Sequence, residues 1–247
     1  MGPELLIFLI FATFVGALVS SLFGLAGGTI LFFLLALALD AKLAIPLHAG
    51  VQLIANGSRL CFFFKDIQWR VVAWFSLLLV PGALLGGWLY MHFNPEMVEW
   101  LVGLFILLSV FMPRVTSSRV GKGSVVSAGF ISGFLGMIVA VTGPFIAALL
   151  NLNQVTKERL VATKSCCQAL AQAVKLIIFS TAIQFDFSQH QQLIWVLGVT
   201  AVIATWTGKS ILRYVTEVRY QQFNKALFLM IAALMLLRPV YQWLQGG

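Results

Sequence analysis

Leu43-Ala-Ile-Pro-Leu-His48-Ala-Gly-Val-Gln52-Leu-Ile-Ala-Asn56-Gly-Ser-Arg59-Leu60 and Arg159-Leu-Val-Ala-Thr-Lys164-Ser-Cys-Cys-Gln168-Ala-Leu-Ala-Gln172-Ala-Val-Lys175-Leu176 are the two stretches that decide the fold. A shift of about 116 residues pairs His48 with Lys164, Gln52 with Gln168, Asn56 with Gln172 and Arg59 with Lys175. Apolar helices match one another in Leu and Ala by chance, but four spaced polar positions do not. The match extends outward. Phe23-Gly24 pairs with Leu135-Gly136, the Gly27-Gly28 break pairs with Thr142-Gly143, and each half closes an apolar helix with Pro, at Pro113 and Pro239. The chain therefore reads as two repeats, 1–113 and 124–247, joined by a cytoplasmic linker at 114–123.

Composition fixes the solvent in which these repeats fold. Hydrophobic residues make up 60% of the 247 and charged residues only 10%, against roughly a quarter charged in soluble domains. Apolar runs occupy 5–23, 29–39, 43–64, 71–91, 97–112, 124–139, 144–151, 160–185, 191–208 and 221–237. Most suffice to enter a hydrocarbon layer of about 30 Å, so an all-α polytopic membrane protein is expected. The first run lacks a signal-peptide cleavage pattern and is kept as mature structure. The three cysteines, Cys61, Cys166 and Cys167, lie inside apolar runs, which implies no disulfide framework. The net charge of +8 comes from residues lying mostly between spans, where it orients the chain rather than binding nucleic acid.

The loops set the topology. Lys65 and Arg70 flank one connection, Arg114, Arg119 and Lys122 occupy the next, Lys157 and Arg159 another, and Lys209, Arg213 and Arg219 the last. The alternate connections carry Glu96 and Glu99, or Asp186 alone. With every basic loop cytoplasmic, ten segments enter the membrane and both termini lie outside. Reading 5–39 and 124–151 as single bent crossings gives eight spans and parallel halves, but puts Lys209, Arg213 and Arg219 outside. Five segments per repeat is an odd number, so the repeats are inverted, as in many secondary transporters. Segments 29–39 and 144–151 are too short to span comfortably. Each follows a break, Gly24-Leu-Ala-Gly27-Gly28 or Thr142-Gly143-Pro144, where a continuous helix is disfavoured. Irregular backbone at membrane depth survives only beside protein or a water-filled cavity.

Chemistry concentrates in the repeated stretches. The eight acidic residues, Glu4, Asp40, Asp66, Glu96, Glu99, Glu158, Asp186 and Glu217, all read as lying at the ends of apolar runs or in loops. His48, Arg59, Lys164 and Lys175 instead lie within helices, where an ionisable group costs at least about 2.5–3.5 kcal/mol and usually faces the bundle interior. His48, Gln52, Asn56 and Arg59 are spaced by four, four and three, and Lys164, Gln168, Gln172 and Lys175 likewise, so each set shares one helix face. Two such stripes can line an anion pathway. The competing reading has Arg59 and Lys175 snorkelling to the interfaces while the amides join helices. Helices starting after Gly27-Gly28, from Thr29 onward, and after Thr142-Gly143 add free backbone N–H donors for an anion; small residues there also serve close helix packing. Three His and three Cys form no metal-ligand spacing, and no nucleophile elbow or nucleotide loop occurs. No catalytic residue, metal site or cofactor is expected.

The run Gly16-Ala-Leu-Val-Ser-Ser-Leu-Phe-Gly-Leu-Ala-Gly-Gly28, a short helix, a polar-striped helix and then Pro81-Gly-Ala-Leu-Leu-Gly-Gly87 resemble the sulfite exporter TauE/SafE family of membrane permeases over nearly the whole chain. The second break, Gly136-Met-Ile-Val-Ala-Val-Thr-Gly-Pro144, has fewer glycines than a typical family repeat. The resemblance implies a secondary transporter, usually an exporter, of a small sulfur-containing anion such as sulfite or an organosulfonate. It also implies residence in the bacterial cytoplasmic membrane. A passive anion channel and a non-transporting membrane assembly protein remain open on the residues alone. The expected partners are the small anion and the lipid bilayer, and a homo-oligomer is compatible with the sequence.

Overall fold

The computed structural model describes residues 2–23, 27–111, 121–140 and 157–211, with positions 229, 230, 233 and 237. Eight α-helices account for nearly all of the continuous stretches: α1 Pro3–Phe23, α2 Gly27–Ala38, α3 Ala41–Phe63, α4 Trp69–His92, α5 Pro95–Phe111, α6 Lys122–Val139, α7 Lys157–Thr181 and α8 Gln191–Ile211. Short 3₁₀ turns follow α3 at Phe64–Asp66 and precede α8 at Phe187–His190. No strand occurs among the described residues. Predicted segments 144–151 and 221–237, the break at Thr142-Gly143 and most of the linker lie outside the continuous stretches. The run expected to reach residue 185 ends as a helix at Thr181, and the chain turns at Gln184, where φ is 58°.

The distribution of polarity is inside out. His48, Gln52, Asn56, Lys164, Gln172 and Lys175 are buried, while Leu77, Leu84, Trp88, Leu108, Ile177, Trp195 and Ile203 are exposed. In water such an outer surface aggregates; in lipid it is solvated. By length and composition α4 and α6 each suffice to cross a membrane.

Glycines hold the tightest pair together. A methyl group on Gly82 or Gly86 of α4 would strike the carbonyls of Phe130 and Phe134, and one on Gly129 or Gly133 of α6 those of Phe75 and Leu79. Both helices thus present Gly-x-x-x-Gly and approach backbone to backbone, the close contact that small residues permit where lipid supplies no hydrophobic drive. Matched positions rise together along both chains, so α4 and α6 run parallel. Their N-terminal ends share one side, where Arg70 and Lys122 both lie over the ring of Trp74, at 5.3 and 5.5 Å. That side is the basic end.

Two polar links set the heights of α3 and α7. Pro46 lacks an N–H, which leaves the carbonyl of Lys42 without its helical donor. Tyr90 Oη donates to that carbonyl at 3.1 Å, tying the start of α3 to the end of α4. At the basic end the N–H of Gln68, preceding α4, donates to Thr163 Oγ1 of α7 at 3.0 Å. This caps α4 from a different helix. At the far end Tyr90 meets Phe179 of α7 edge to face, with ring centroids 5.2 Å apart. Helix α3 therefore runs antiparallel to both α4 and α7.

The helices sort into two groups. Helices α1, α2, α3 and α8 pack on one another, with Gly50 against Ile194 and Gly198 against Ile54; α4, α5, α6 and α7 form the second group. The groups meet chiefly along α3 and α7.

Candidate functional site: a cationic seam between α3 and α7

Along this seam the two polar stripes face each other inside the protein. His48, Gln52 and Asn56 of α3 are buried, as are Lys164, Gln172 and Lys175 of α7, while Arg59 and Gln168 are half-buried. Because the helices are antiparallel, the end residues of each stripe stand level with the opposite end of the other stripe. Lys164 lies close enough to Arg59 for their like charges to act on each other, and Lys175 lies close enough for its charge to reach the His48 ring. Each pair is the other with its repeat positions exchanged, the reciprocity an isologous contact requires. Eleven residues separate the members of each stripe, so the two cationic levels stand about 16 Å apart along the helices.

Hydrogen bonds orient the side chains. Arg59 Nη1 donates to Asn56 Oδ1 at 3.1 Å, which fixes the amide orientation; Asn56 Nδ2 is buried with no hydrogen-bond partner. His48 Nε2 donates to the carbonyl of Gly28 at 2.9 Å, while its ring meets Phe32 edge to face. The buried His48 Nδ1 and Gln172 Oε1 have no hydrogen-bond partner. Lys175 Nζ donates to the carbonyl of Ala140 at 3.4 Å. Ala140 ends α6 at a φ of 58°, a conformation uncommon outside glycine, which turns the chain just before the second predicted break.

The first glycine break reaches this seam. A methyl group on Gly28 would come within 2.9 Å of Gln52 Nε2 and 3.8 Å of His48 Nε2. Glycine lets α2 begin against the middle of the α3 stripe with Gln52 left in place. Its 12 residues extend about 18 Å, short of a 30 Å hydrocarbon layer. Helix α2 leads straight into α3 through Leu39 and Asp40, so it returns to the end opposite the basic one. Gly27 stands at its first position, and Thr29 follows in its first turn. Thr142 and Gly143 lie outside the described residues.

One buried group escaped sequence reasoning. Glu99, read as a loop or helix-end carboxylate, is the fifth residue of α5 and is only 5% exposed. Its neighbours Val98 and Val102 are fully buried, and the Glu99–Val102 spacing of three places both on one helix face, which is the signal that would have found it. No group of three or more His, Cys, Asp or Glu able to hold a metal lies among the described residues. A cavity of about 370 Å³ opens at the far end of α3 between Lys42, Tyr90, Phe179 and Phe185. It adjoins the seam without including its stripes.

An outward apolar surface around an inward seam of amides and cations is the arrangement of a helical membrane protein. The sulfite exporter TauE/SafE family profile matches residues 8–238, nearly the whole chain, and the protein belongs to that family. It is accordingly an integral membrane protein of a transporter family. Neither a curated protein nor a solved structure matches the chain.

Proposed function

We propose that the chain is a secondary transporter, working as an exporter, of a small sulfur-containing anion such as sulfite or an organosulfonate, with the α3–α7 seam as its binding site. The observation that carries this reading is the meeting of basic groups inside the protein, Arg59 with Lys164 and the His48 imidazole with Lys175. The Arg59 and Lys164 charges repel in a low-dielectric interior, Lys175 disfavours a charge on His48, and a bound anion offsets both effects. Gln52, Gln168, Gln172 and the Nδ2 group of Asn56 supply hydrogen bonds to oxyanion atoms. The first turn of α2, at Gly27, Gly28 and Thr29, adds backbone donors and the positive end of a helix dipole, and Thr142 and Gly143 take the corresponding role in the second repeat.

The exchanged contacts support two inverted repeats at 1–113 and 124–247. Helix α4 on α6 corresponds to α8 on α1, and α3 on α8 corresponds to α7 on α4; all four pairings occur. These pairings cross the repeat boundary. The bodies that move in alternating access are therefore the two helix groups, α1–α3 with α8 and α4–α7, rather than the sequence halves. Their common boundary is the polar seam, so motion there opens the site to one side and then the other.

The test is a thermal-shift and reconstituted-flux screen over sulfite, sulfate, thiosulfate, taurine and sulfoacetate, with Arg59→Gln and Lys175→Gln as controls. At least one anion raises the melting temperature and crosses the liposome membrane, and both substitutions weaken it tenfold or more. Unchanged binding and flux in both variants would remove the site. Purely downhill flux with no exchange between labelled and unlabelled anion would make the protein a channel.

A further inference from the structure

We infer that His48 takes up one proton with each anion, so that anion and proton move through the seam in the same direction. The inference rests on the anion-site reading above and adds a coupling ion to it. A carbonyl oxygen only accepts, so the 2.9 Å contact between His48 Nε2 and the Gly28 carbonyl places a hydrogen on Nε2. In the neutral ring Nδ1 then carries the lone pair. That atom is buried and has no hydrogen-bond partner, on an imidazole that is only 2% exposed. It is the one basic position left on the ring, within the seam.

The surroundings restrict what can act on it. Lys175 of α7 lies close enough for its charge to reach the imidazole. Helix α2, whose Gly28 touches the ring, contains no ionisable side chain. Helix α8 has only Lys209, near its opposite end, α6 has only Lys122, at its start, and α1 has only Glu4. Helix α5 contributes the carboxylates Glu96 and the buried Glu99. One positive charge thus stands beside the ring before any anion arrives. An anion seated at Lys175 cancels that charge and offers oxygen acceptors to an Nδ1–H. The proton comes from water on the side from which the anion came, bonds to Nδ1 to give the imidazolium, and returns to water when the anion leaves. No other bond is made or broken. Transfer of a monoanion with its proton is electroneutral.

The test uses the purified full chain and strong-acid anions that carry no proton of their own near neutral pH, methanesulfonate and sulfate. Titration calorimetry in buffers of differing ionisation enthalpy reads the protons taken up per anion bound. Between about pH 6 and 8 the wild type takes up close to one proton per anion. His48→Gln, which keeps a donor for the Gly28 carbonyl, binds about tenfold more weakly and takes up none. Should that variant fail to fold, nitrogen NMR of the wild type decides, because the chain has only three histidines. One ring then passes from the Nε2–H tautomer to imidazolium as methanesulfonate is added. Anion binding without proton uptake, or equal uptake by His48→Gln, overturns the coupling and leaves the site standing. Binding of neither anion to the wild type sinks the site reading and the coupling with it.

Discussion

Arg59 of α3 and Lys164 of α7 approach closely enough for their positive charges to repel, although they sit 105 positions apart in the chain. A protein holding like charges together without ligand does so at some cost in stability. Arg59→Gln should therefore leave the melting temperature in anion-free buffer unchanged or raised, while abolishing most of the stabilisation that an anion confers. A tenfold loss of affinity corresponds to about 1.4 kcal/mol. Thermal unfolding in detergent, with and without sulfite, measures both effects; a large fall in anion-free stability would assign Arg59 a purely structural role.

Gly129→Ala and Gly133→Ala push a methyl group into the carbonyls of Phe75 and Leu79. Backbone cannot yield as a flexible side chain does, so each should destabilise by about 1–3 kcal/mol. Gly123→Ala on the same helix, whose added methyl group meets nothing within 4 Å, is the matched control. Thermal melts of the three variants test whether α4 and α6 form one rigid unit.

Gly28→Ala has a different outcome. Its methyl group meets the end of the Gln52 side chain, which can swing away at little cost to the fold. Stability should fall by under about 1 kcal/mol, while anion affinity drops severalfold as Gln52 and His48 shift. Parallel measurement of melting temperature and binding separates these effects.

Orientation has its own test. In a background without Cys61, Cys166 and Cys167, a cysteine at Gly121, at the basic end, should react with a membrane-impermeant maleimide only after the cytoplasmic face is opened. One at Gln189, beyond α7, should react in intact cells. Both positions are exposed. The reverse pattern would invert the proposed topology.

Outside the membrane-entering helices, Asp186 accepts hydrogen bonds from Ser188 N, Ser188 Oγ and Gln189 Nε2. These bonds, the Ser188 hydroxyl foremost, hold its carboxyl below the usual carboxylate range. A depressed folded value means that the contribution to stability is present above the unfolded value, about 3.9, and is lost as pH falls through the folded one. Hydrogen-exchange protection at residues 186–190 should therefore weaken below about pH 4, and Asp186→Asn should remove that acid step.

The two polar stripes were legible because polar residues are rare enough in apolar helices for four matched positions to stand out. Boundaries of the described helices fell within a few residues of the apolar runs for the same reason. Glu99 was misread because proximity to a helix end stood in for exposure, whereas its spacing to Val102 turns it inward. The Pro81-Gly-Ala-Leu-Leu-Gly-Gly87 motif was legible as a family resemblance, but its work, laying Gly82 and Gly86 against the carbonyls of Phe130 and Phe134, needed the partner helix.

The sequence by itself determined a helical membrane protein with two polar stripes, because hydropathy and helical period act locally along the chain. Only the tertiary structure decided which stripe residues meet. Antiparallel packing of α3 on α7 brings His48 to Lys175 and Arg59 to Lys164, exchanging the partners that alignment sets side by side. Helix direction and register are set by distant contacts, the Tyr90 bond to Lys42 and the Thr163 cap on Gln68, and spacing along a single helix carries no information about either.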